Sequence, residues 1–164
     1  MEQLWSPWRL AYITGASQST GCVFCDALTN PQADPLVVFR GAACFVILNL
    51  FPYNNGHLMV IPNRHIGSLA AATEEELREL TALTRTAEIA LTENYAPHGF
   101  NMGINLGKPA GAGVLDHLHM HVVPRWNGDT NFMTVVGRTR VLAEELPDTA
   151  ARLRPVFARL AQTP

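Results

Sequence analysis

Histidine and apolar residues alternate strictly over residues 117–124, and this is the clearest polar and apolar pattern in the chain. Successive side chains of a β-strand point to opposite faces of its sheet, so the alternation predicts a strand with one packing face and one histidine face. The packing set is Leu118, Met120 and Val122, and the histidine set is His117, His119 and His121. We therefore expect one face of this strand to pack and the other to carry chemistry.

Four other segments have the pattern of strands. Short apolar runs over 36–40, 44–48 and 57–61 are separated by glycine, proline and asparagine, which favour turns. Residues 100–106 alternate between apolar and other residues and lead through a glycine-rich loop to the histidine strand. These segments predict antiparallel strands joined by short connections.

Two segments have the pattern of helices. Thr73 and Glu76 form a capping box, and the leucines that follow keep a helical spacing until a proline ends the segment. Residues 141–161 are helix-like but contain Pro147 and Pro155, so we expect this helix to be broken. Antiparallel strands around one long helix predict an α+β fold rather than a doubly wound sheet.

The length and charge of the chain limit the choice of partner. A length of 164 residues fits a single domain over 1–164, with an N-terminal arm at 1–20 and a C-terminal helical extension at 137–164. The net charge is −2 and only 16% of residues are charged, which gives no electrostatic footprint of a nucleic-acid polymer or an anionic membrane. The sequence contains no leader-like or membrane-spanning apolar segment, so we expect a cytoplasmic protein.

Cysteine usage points to the same compartment. The chain has three cysteines, and Cys22 and Cys25 are only three residues apart. This fits a metal-ligand pair in a reducing compartment better than a disulfide framework. Taken alone, the pair is compatible with zinc, with a redox pair or with coincidence.

The spacing of the three histidines restricts their chemistry. Side chains two apart on a strand are rooted about 6.7 Å apart and those four apart about 13 Å, whereas two nitrogens on one zinc ion lie within about 4 Å. A single metal ion therefore does not readily bind all three. A neutral imidazole held in one tautomer is a nucleophile or proton carrier near pH 7, and His119, flanked on both sides, is our candidate.

The His-x-His-x-His run, two further apolar residues and the segment 124–132 together resemble the histidine-triad (HIT) nucleotide-binding superfamily. The segment 124–132, which includes Trp126 and Phe132, is similar to the branch of dinucleoside polyphosphate hydrolases and phosphorylases. The likeness runs from Trp5 to about Val136 and keeps the order of the motifs. It implies a HIT-like fold with an antiparallel sheet of five to six strands, one long helix and a homodimer.

The resemblance also implies a metal site. In similar proteins that carry a Cys-x-x-Cys pair, zinc is bound by that pair, by the histidine after the Ile-Pro strand and by the first histidine of the triad. Here these ligands are Cys22, Cys25, His65 and His117. A closed set of four ligands makes the zinc structural, so we expect no catalytic metal in the protein, and any Mg²⁺ arrives with the substrate.

Three polar residues match nucleotide-contacting positions of the family. Asn49 corresponds to a residue that binds the ribose hydroxyls, although by itself it is typical of a turn. His57 matches a histidine that lies near the triad, and Asn105 matches an asparagine that contacts a phosphate or the leaving group.

The loop before the triad is the remaining part of the expected nucleotide site. The backbone amides of Ala112, Gly113 and Val114 are expected to approach a phosphate, because no bulky side chains intervene. Relatives often carry serine or threonine in this loop, and its absence here removes a donor worth about 1.5–3 kcal/mol. Lys108 is the candidate that compensates.

The resemblance implies a reaction in which His119 attacks the α-phosphorus of a nucleoside polyphosphate and forms a nucleotidyl-histidine. His121 and His57 then contact the phosphate chain or supply a proton, and water or phosphate cleaves the intermediate. The substrate expected is a dinucleoside polyphosphate such as diadenosine tetraphosphate.

Two other classes of protein stay open from the sequence. The histidines could build a catalytic metal site with Asp116 or Asp129, which would make the protein a metallohydrolase. Alternatively, the protein binds nucleotides without turnover, as a sensor or scaffold.

Overall fold

The computed structural model describes residues 21–29, 35–130, 136–137 and 141–161. Within these residues, five strands form one sheet and three α-helices pack against it. In chain order the elements are α1 (Val23–Thr29), β1 (Val37–Arg40), β2 (Cys44–Leu48), β3 (Leu58–Pro62), α2 (Glu74–Tyr95), β4 (Gly99–Ile104), β5 (Met120–Arg125) and α3 (Leu146–Leu160). The predicted N-terminal arm at 1–20 lies outside the described residues.

The strands are ordered β1-β2-β3-β5-β4, and all neighbouring pairs are antiparallel. This confirms the α+β prediction of an antiparallel sheet with one long helix between its strands. No helix in the described residues is both long and apolar enough to cross a membrane.

The two faces of the sheet have different partners. Helices α2 and α3 cover one face, where Val60 and Val122 pack with side chains such as Leu91 and Phe157. On the other face, α1 packs against a smaller cluster that includes Phe24, Phe45, Met59 and Ile61. Met59 pairs with His121 in the register of β3 and β5, and residues directly opposite each other share a face. The triad histidines therefore lie on the face that α1 covers.

Helix α2 begins as the sequence predicts. The Thr73 hydroxyl accepts a hydrogen bond from the Glu76 amide at 3.2 Å, and the Glu76 carboxylate accepts one from the Thr73 amide at 2.8 Å. Arg64 donates two further hydrogen bonds to the same carboxylate. These bonds, those from Arg64 first, lower the pKa of Glu76 to about 2, so this helix start is tied to the segment after β3.

The histidine strand is shorter than predicted, because β5 begins at Met120 rather than at His117. The register pairs Met120 with Val60, so Leu118 would come opposite Pro62, which has no N–H to donate to the ladder. The Leu118 amide instead donates to the Ile66 carbonyl at 2.6 Å. The start of the triad therefore lies beyond the regular sheet, against the segment that follows β3.

The prediction that proline breaks the C-terminal helix is wrong. Helix α3 is assigned continuously over Leu146–Leu160, with Pro147 in its first turn and Pro155 inside it. Proline in a first turn removes no intrahelical hydrogen bond. At Pro155 the cost is offset by packing, because Ala150, Leu153 and Phe157 are fully buried against the sheet and α2.

Candidate active site

The central histidine of the triad is fixed in one tautomer. His119 is 4% exposed, and its Nδ1 lies 2.8 Å from the carbonyl oxygen of His117. Because a carbonyl oxygen only accepts hydrogen bonds, Nδ1 carries the proton and Nε2 keeps its lone pair in the neutral ring. The ring of His119 also contacts the ring of His121, with centroids 4.9 Å apart. This arrangement presents an imidazole nitrogen that is ready to form a bond.

The third histidine is oriented by a chain of hydrogen bonds. The backbone amide of Tyr53 donates to Nδ1 of His57 at 3.0 Å, so the proton of His57 is on Nε2. That Nε2 lies 2.9 Å from Nδ1 of His121 and donates to it. The proton of neutral His121 is then on Nε2, where it is available as a hydrogen-bond donor.

The environment keeps His121 neutral. Burial first, and the charge of His119 second, lower the pKa of His121 to about 4. His57 is fully buried, and its hydrogen bond to His121 is its connection to the exposed part of the triad. The structure brings together all three histidines that were predicted to be catalytic, and it gives His57 a supporting place.

The predicted metal ligands form a compact cluster. The ligand atoms of Cys22, Cys25, His65 and His117 all lie within 4.8 Å of one another, the one such group of three or more His, Cys, Asp or Glu found among the described residues. Nδ1 of His117 lies 3.2 Å from Sγ of Cys22 and 3.6 Å from Sγ of Cys25, and Nδ1 of His65 lies 3.3 Å from Sγ of Cys25.

The donor set and its geometry fit zinc. Bonds of about 2.3 Å to sulfur and about 2.0 Å to nitrogen place unlike ligands of a tetrahedral zinc about 3.6 Å apart. Nε2 of His117 donates to the Pro62 carbonyl at 2.8 Å, which leaves Nδ1 unprotonated and facing the sulfurs. Burial, followed by the neighbouring thiol of Cys22, raises the pKa of Cys25, and a bound dication would reverse that direction.

The predicted ribose residue is engaged within its own turn. The side-chain oxygen of Asn49 accepts a hydrogen bond from the Phe51 amide at 2.9 Å, and its amide nitrogen lies 3.4 Å from Nδ1 of His57. The first of these contacts is an Asx turn, in agreement with the turn-forming interpretation of the residue. Asn105 lies directly after β4 and is half-buried.

The predicted phosphate loop is a tight turn closed by its own backbone. Lys108 is exposed at the start of a 3₁₀ turn over Lys108–Ala110, between two glycines with positive φ, Gly107 and Gly111. The Ala112 amide donates to the Gly107 carbonyl at 3.3 Å, so this predicted phosphate donor is used internally. Between the described loop and the triad we find no hydrogen bond.

The amides of Gly113 and Val114 remain as candidates for phosphate binding. Across the parts of the chain that the structure describes, neither amide has a hydrogen-bond partner. Of the three predicted loop amides, these two therefore retain a donor.

Asp129 does not have the surroundings of a metal ligand. Its carboxylate accepts hydrogen bonds from the side chains of Arg125 and Asn54 and from the Trp126 amide. These bonds, those from Arg125 first, hold the pKa of Asp129 well below its usual range. Because both carboxylate oxygens are engaged, a histidine-metal site built with this residue is not favoured.

Two residues that contact the histidines were missed at the sequence level. The ring of Phe24 lies 5.3 Å from the ring of His119, and the ring of Tyr53 stacks on that of His121 at 5.9 Å. Phe24 stands between the two cysteines, on a helix that the sequence pattern did not predict. Tyr53 lies in the turn between β2 and β3, where its bulky aromatic side chain was the available signal.

An antiparallel sheet with three alternating histidines at one of its strands is the feature that defines the class of histidine-triad proteins. Residues 30–128 match the HIT domain. The chain is also 41% identical to a protein of Mycobacterium tuberculosis named AP-4-A phosphorylase, over 97% of this chain and 86% of that protein. The chain therefore belongs to the HIT family.

Solved structures agree with this assignment. A zinc-bound histidine triad family protein from Mycobacterium smegmatis matches with a TM-score of 0.70 and 30% identity, over 88% of this chain and 98% of that one. A hypothetical histidine triad nucleotide-binding protein from Sulfolobus tokodaii matches with a TM-score of 0.69 and 26% identity, over 86% and 95%. The five-stranded antiparallel sheet with its helices is thus the fold of this family.

Proposed function

We propose that this protein cleaves dinucleoside polyphosphates, such as diadenosine tetraphosphate, by transferring a nucleotidyl group to His119 and then to an acceptor. The observation that carries the proposal is the hydrogen bond of 2.8 Å from Nδ1 of His119 to the His117 carbonyl, which leaves Nε2 as the nucleophile. Membership of the HIT family and the 41% identity to a protein named AP-4-A phosphorylase support it.

In the first step, Nε2 of His119 forms a bond to the α-phosphorus as the bond from that phosphorus to the bridging oxygen breaks. The distal nucleoside triphosphate leaves with the electron pair of that bond. To the free amides of Gly113 and Val114, and to Lys108 and Asn105, we assign the stabilisation of negative charge on the phosphate oxygens. In the second step the acceptor displaces His119 from phosphorus, and Nε2 regains its lone pair.

His121 contributes a hydrogen bond rather than a positive charge. At neutral pH the lowered pKa of His121 keeps its ring uncharged. Nδ1 of His121 accepts the hydrogen bond from His57, so the remaining N–H of His121, on Nε2, points away from His57. A triphosphate leaves as an anion, so a donor that stabilises an oxygen is sufficient and a strong acid is not required. We assign His57 a positioning role that fixes the tautomer of His121.

We infer that inorganic phosphate is the acceptor. The reaction then yields a nucleoside diphosphate and a nucleoside triphosphate, whereas water as acceptor yields a nucleoside monophosphate and the triphosphate. The relative from Mycobacterium tuberculosis, named as a phosphorylase and 41% identical, supports phosphate over water.

We propose that Cys22, Cys25, His65 and His117 hold a structural zinc ion. The described donor set fits tetrahedral coordination, and a four-ligand site leaves no position for a substrate. The zinc-bound relative from Mycobacterium smegmatis supports the choice of metal. When bound, the ion supplies a crosslink between α1 and the segments that carry the two histidines.

We further propose a cytoplasmic homodimer that acts on nucleotides without a nucleic-acid or membrane partner. Strand β4 is at one edge of the sheet, and its residues 101–103 are exposed, so its outer backbone groups are a template for pairing with a second copy. Cys22, Cys25 and Cys44 form no disulfide bond, which suits a reducing compartment. Light scattering after size-exclusion chromatography should give twice the mass of the 18.0 kDa chain.

The function is tested by incubating the zinc-loaded protein with diadenosine tetraphosphate, with and without phosphate, and separating the products. We expect ATP and ADP when phosphate is present. His119→Asn should lower turnover about a thousandfold or more. His98→Asn is the matched control, because His98 lies away from the triad and bonds to the Asn127 amide.

The product pattern decides between the remaining outcomes. AMP and ATP at every phosphate concentration would contradict the choice of acceptor and leave a hydrolase. Nucleotide binding without any product would contradict the proposed function and favour the sensor or scaffold alternative.

A further inference from the structure

We propose that Phe24 is a positioning residue for His119 and that it links the cysteine-histidine cluster to the nucleophile. This inference rests on the proposed function. Phe24 lies between Cys22 and Cys25, in the first turn of α1. Its ring centroid is 5.5 Å from the ring of His117, in an edge contact at 88°, and 5.3 Å from the ring of His119, at 54°. One side chain thus contacts both a candidate metal ligand and the proposed nucleophile.

His119 needs a contact of this kind. Its hydrogen bond to the His117 carbonyl fixes the position of Nδ1 but lets the ring tilt about that atom. The rings of Phe24 and His121 both contact His119 and limit the tilt. Because the lone pair on Nε2 must point at phosphorus, the tilt of the ring controls the geometry of attack.

Phe24 is itself held from several sides. It is 5% exposed and packs in the cluster that contains Phe45, Met59 and Ile61. At the other end of α1, Arg40 donates to the Ala27 carbonyl at 2.7 Å, which ties the helix to β1. The side chain is therefore anchored by the sheet as well as by the cysteines that flank it.

The flanking cysteines allow the cysteine-histidine cluster to act on His119 through Phe24. Cys22 and Cys25 approach His117 and His65, so closing this cluster draws the first turn of α1 against the start of the triad. Phe24 lies within that turn and moves with it. An ion held by the cluster then sets the tilt of His119 without contacting the substrate.

The test compares two substitutions that remove the same atoms from one apolar cluster. Phe24→Leu removes the ring that contacts His119. Phe45→Leu is the matched control, because Phe45 is fully buried in the same cluster and, in the described part of the chain, its ring contacts no histidine. Both variants are compared with wild type at equal zinc content, measured by mass spectrometry, and at a temperature where all are folded.

Two measurements separate positioning from general damage to the core. The first is the single-turnover rate of nucleotidyl-histidine formation at saturating diadenosine tetraphosphate, together with the dissociation constant of the substrate. The second is the ¹⁵N spectrum of the His119 ring without substrate, which reports its tautomer and surroundings. We expect Phe24→Leu to lower the rate about 10- to 100-fold, to change the dissociation constant less than about threefold, and to shift or split the His119 signals. Phe45→Leu should leave both measurements near wild type.

Equal rate losses in the two variants would overturn the inference, as would an unchanged His119 spectrum in Phe24→Leu. If Phe24→Leu does not fold, Phe24→Met keeps more of the side-chain volume and faces the same two criteria. A wild-type protein that forms no nucleotidyl-histidine would overturn the proposed function instead. The spectra alone would then decide whether Phe24 holds the ring.

Discussion

A backbone carbonyl, rather than a side chain, fixes the tautomer of His119, the proposed nucleophile. His119 donates from Nδ1 to the carbonyl of the residue two positions earlier, so the orienting group belongs to the same short segment. Substituting a neighbouring side chain cannot remove that acceptor. The tautomer of His121, by contrast, depends on His57 and on the turn that carries Tyr53. The two histidines are therefore prepared by independent means.

A serine at position 113 should restore the donor that the loop lacks. A Cβ atom added to Gly113 would meet no atom within 4 Å, and the backbone there is outside the left-handed region. We expect Gly113→Ser to raise kcat/KM about tenfold, which corresponds to about 1.4 kcal/mol for one added hydrogen bond to a charged group. Gly99→Ser is the matched control, since Gly99 is equally open but lies at the start of β4, opposite Arg125 rather than His121. Unchanged or lower activity in Gly113→Ser would contradict this role of the loop.

The neutral state of His121 should make stability depend on pH. Its pKa is lowered from the ordinary value of 6.5 to about 4, by burial first and by His119 second. As pH falls below 6.5, His121 is protonated in the unfolded chain, whereas in the folded protein it stays neutral until about pH 4. The free energy of unfolding therefore decreases across this interval. Between pH 7 and pH 5 the loss is about 2 kcal/mol from this group.

Urea unfolding of wild type and His121→Asn at both pH values measures this contribution. The decrease in the free energy of unfolding should be about 2 kcal/mol smaller in the variant. Protonation of the remaining groups acts on both proteins and cancels in the comparison. Equal decreases would mean that His121 is not held neutral by the fold.

The sequence predicted the types of the site residues better than their exact surroundings. Alternation placed His119 and His121 on one face, and the family resemblance selected the four candidate metal ligands, which do lie together. Hydrogen bonds that depend on the turn between β2 and β3 could not be read from periodicity. The burial of His57 follows from the geometry of that turn. The internal hydrogen bond of the Ala112 amide follows in the same way from the backbone of the loop after β4.

Among the elements, the C-terminal helix departs furthest from its intrinsic preference. Pro155 cannot donate to the carbonyl four residues earlier, yet α3 continues past it. The buried face of α3 packs on β1 and α2, and its Arg154 donates to the Val37 carbonyl at 3.0 Å. Packing across the fold therefore overrides the local cost, which a pattern of single residues does not reveal.

Replacing Pro155 by alanine should stabilise the protein. Pro155 is exposed, so Pro155→Ala leaves no cavity and restores one helical hydrogen bond. We expect the free energy of unfolding to rise by about 1–3 kcal/mol in chemical denaturation. Pro147→Ala, in the first turn, should change it by less than about 0.5 kcal/mol. No gain in Pro155→Ala would show that the proline costs this helix nothing.

Strand and helix positions were otherwise predictable for physical reasons. The capping box fixed the start of α2, and the apolar run of β2 gave its bounds without error. Helix α1 was not predicted, because its seven residues are too few to display a helical period. The start of β5 was misplaced because the effect of Pro62 depends on a pairing register that the sequence does not state.

For the protein as a whole, the proposed zinc ion joins parts that are far apart in sequence. Cys22 directly precedes α1, Cys25 lies on it, His65 follows β3, and His117 precedes β5. The domain has its own apolar core on the face covered by α2 and α3, so the ion should add stability without being essential for the fold of that face. Removal of the zinc ion should therefore first destabilise α1 and the histidine face of the sheet.

Elemental analysis and thermal unfolding test this prediction. Wild type should hold one zinc ion per chain, and chelation should lower Tm by about 5 °C or more, because a ligand that binds only the folded state stabilises it. Cys25→Ser should lose the ion, whereas Cys44→Ala, which changes the buried thiol on β2, should retain it. Full zinc content in Cys25→Ser would contradict the proposed ligand set.

The decisive measurement is the location of the nucleotidyl group during turnover. Zinc-loaded protein is mixed with diadenosine tetraphosphate and quenched at alkaline pH, where a phosphorus–nitrogen bond survives, and its peptides are analysed by mass spectrometry. We predict an adenylyl group on Nε2 of His119, and no adduct in His119→Ala although that variant still binds nucleotide. An adduct on His57 or His121, or turnover that proceeds without any adduct, would contradict the mechanism.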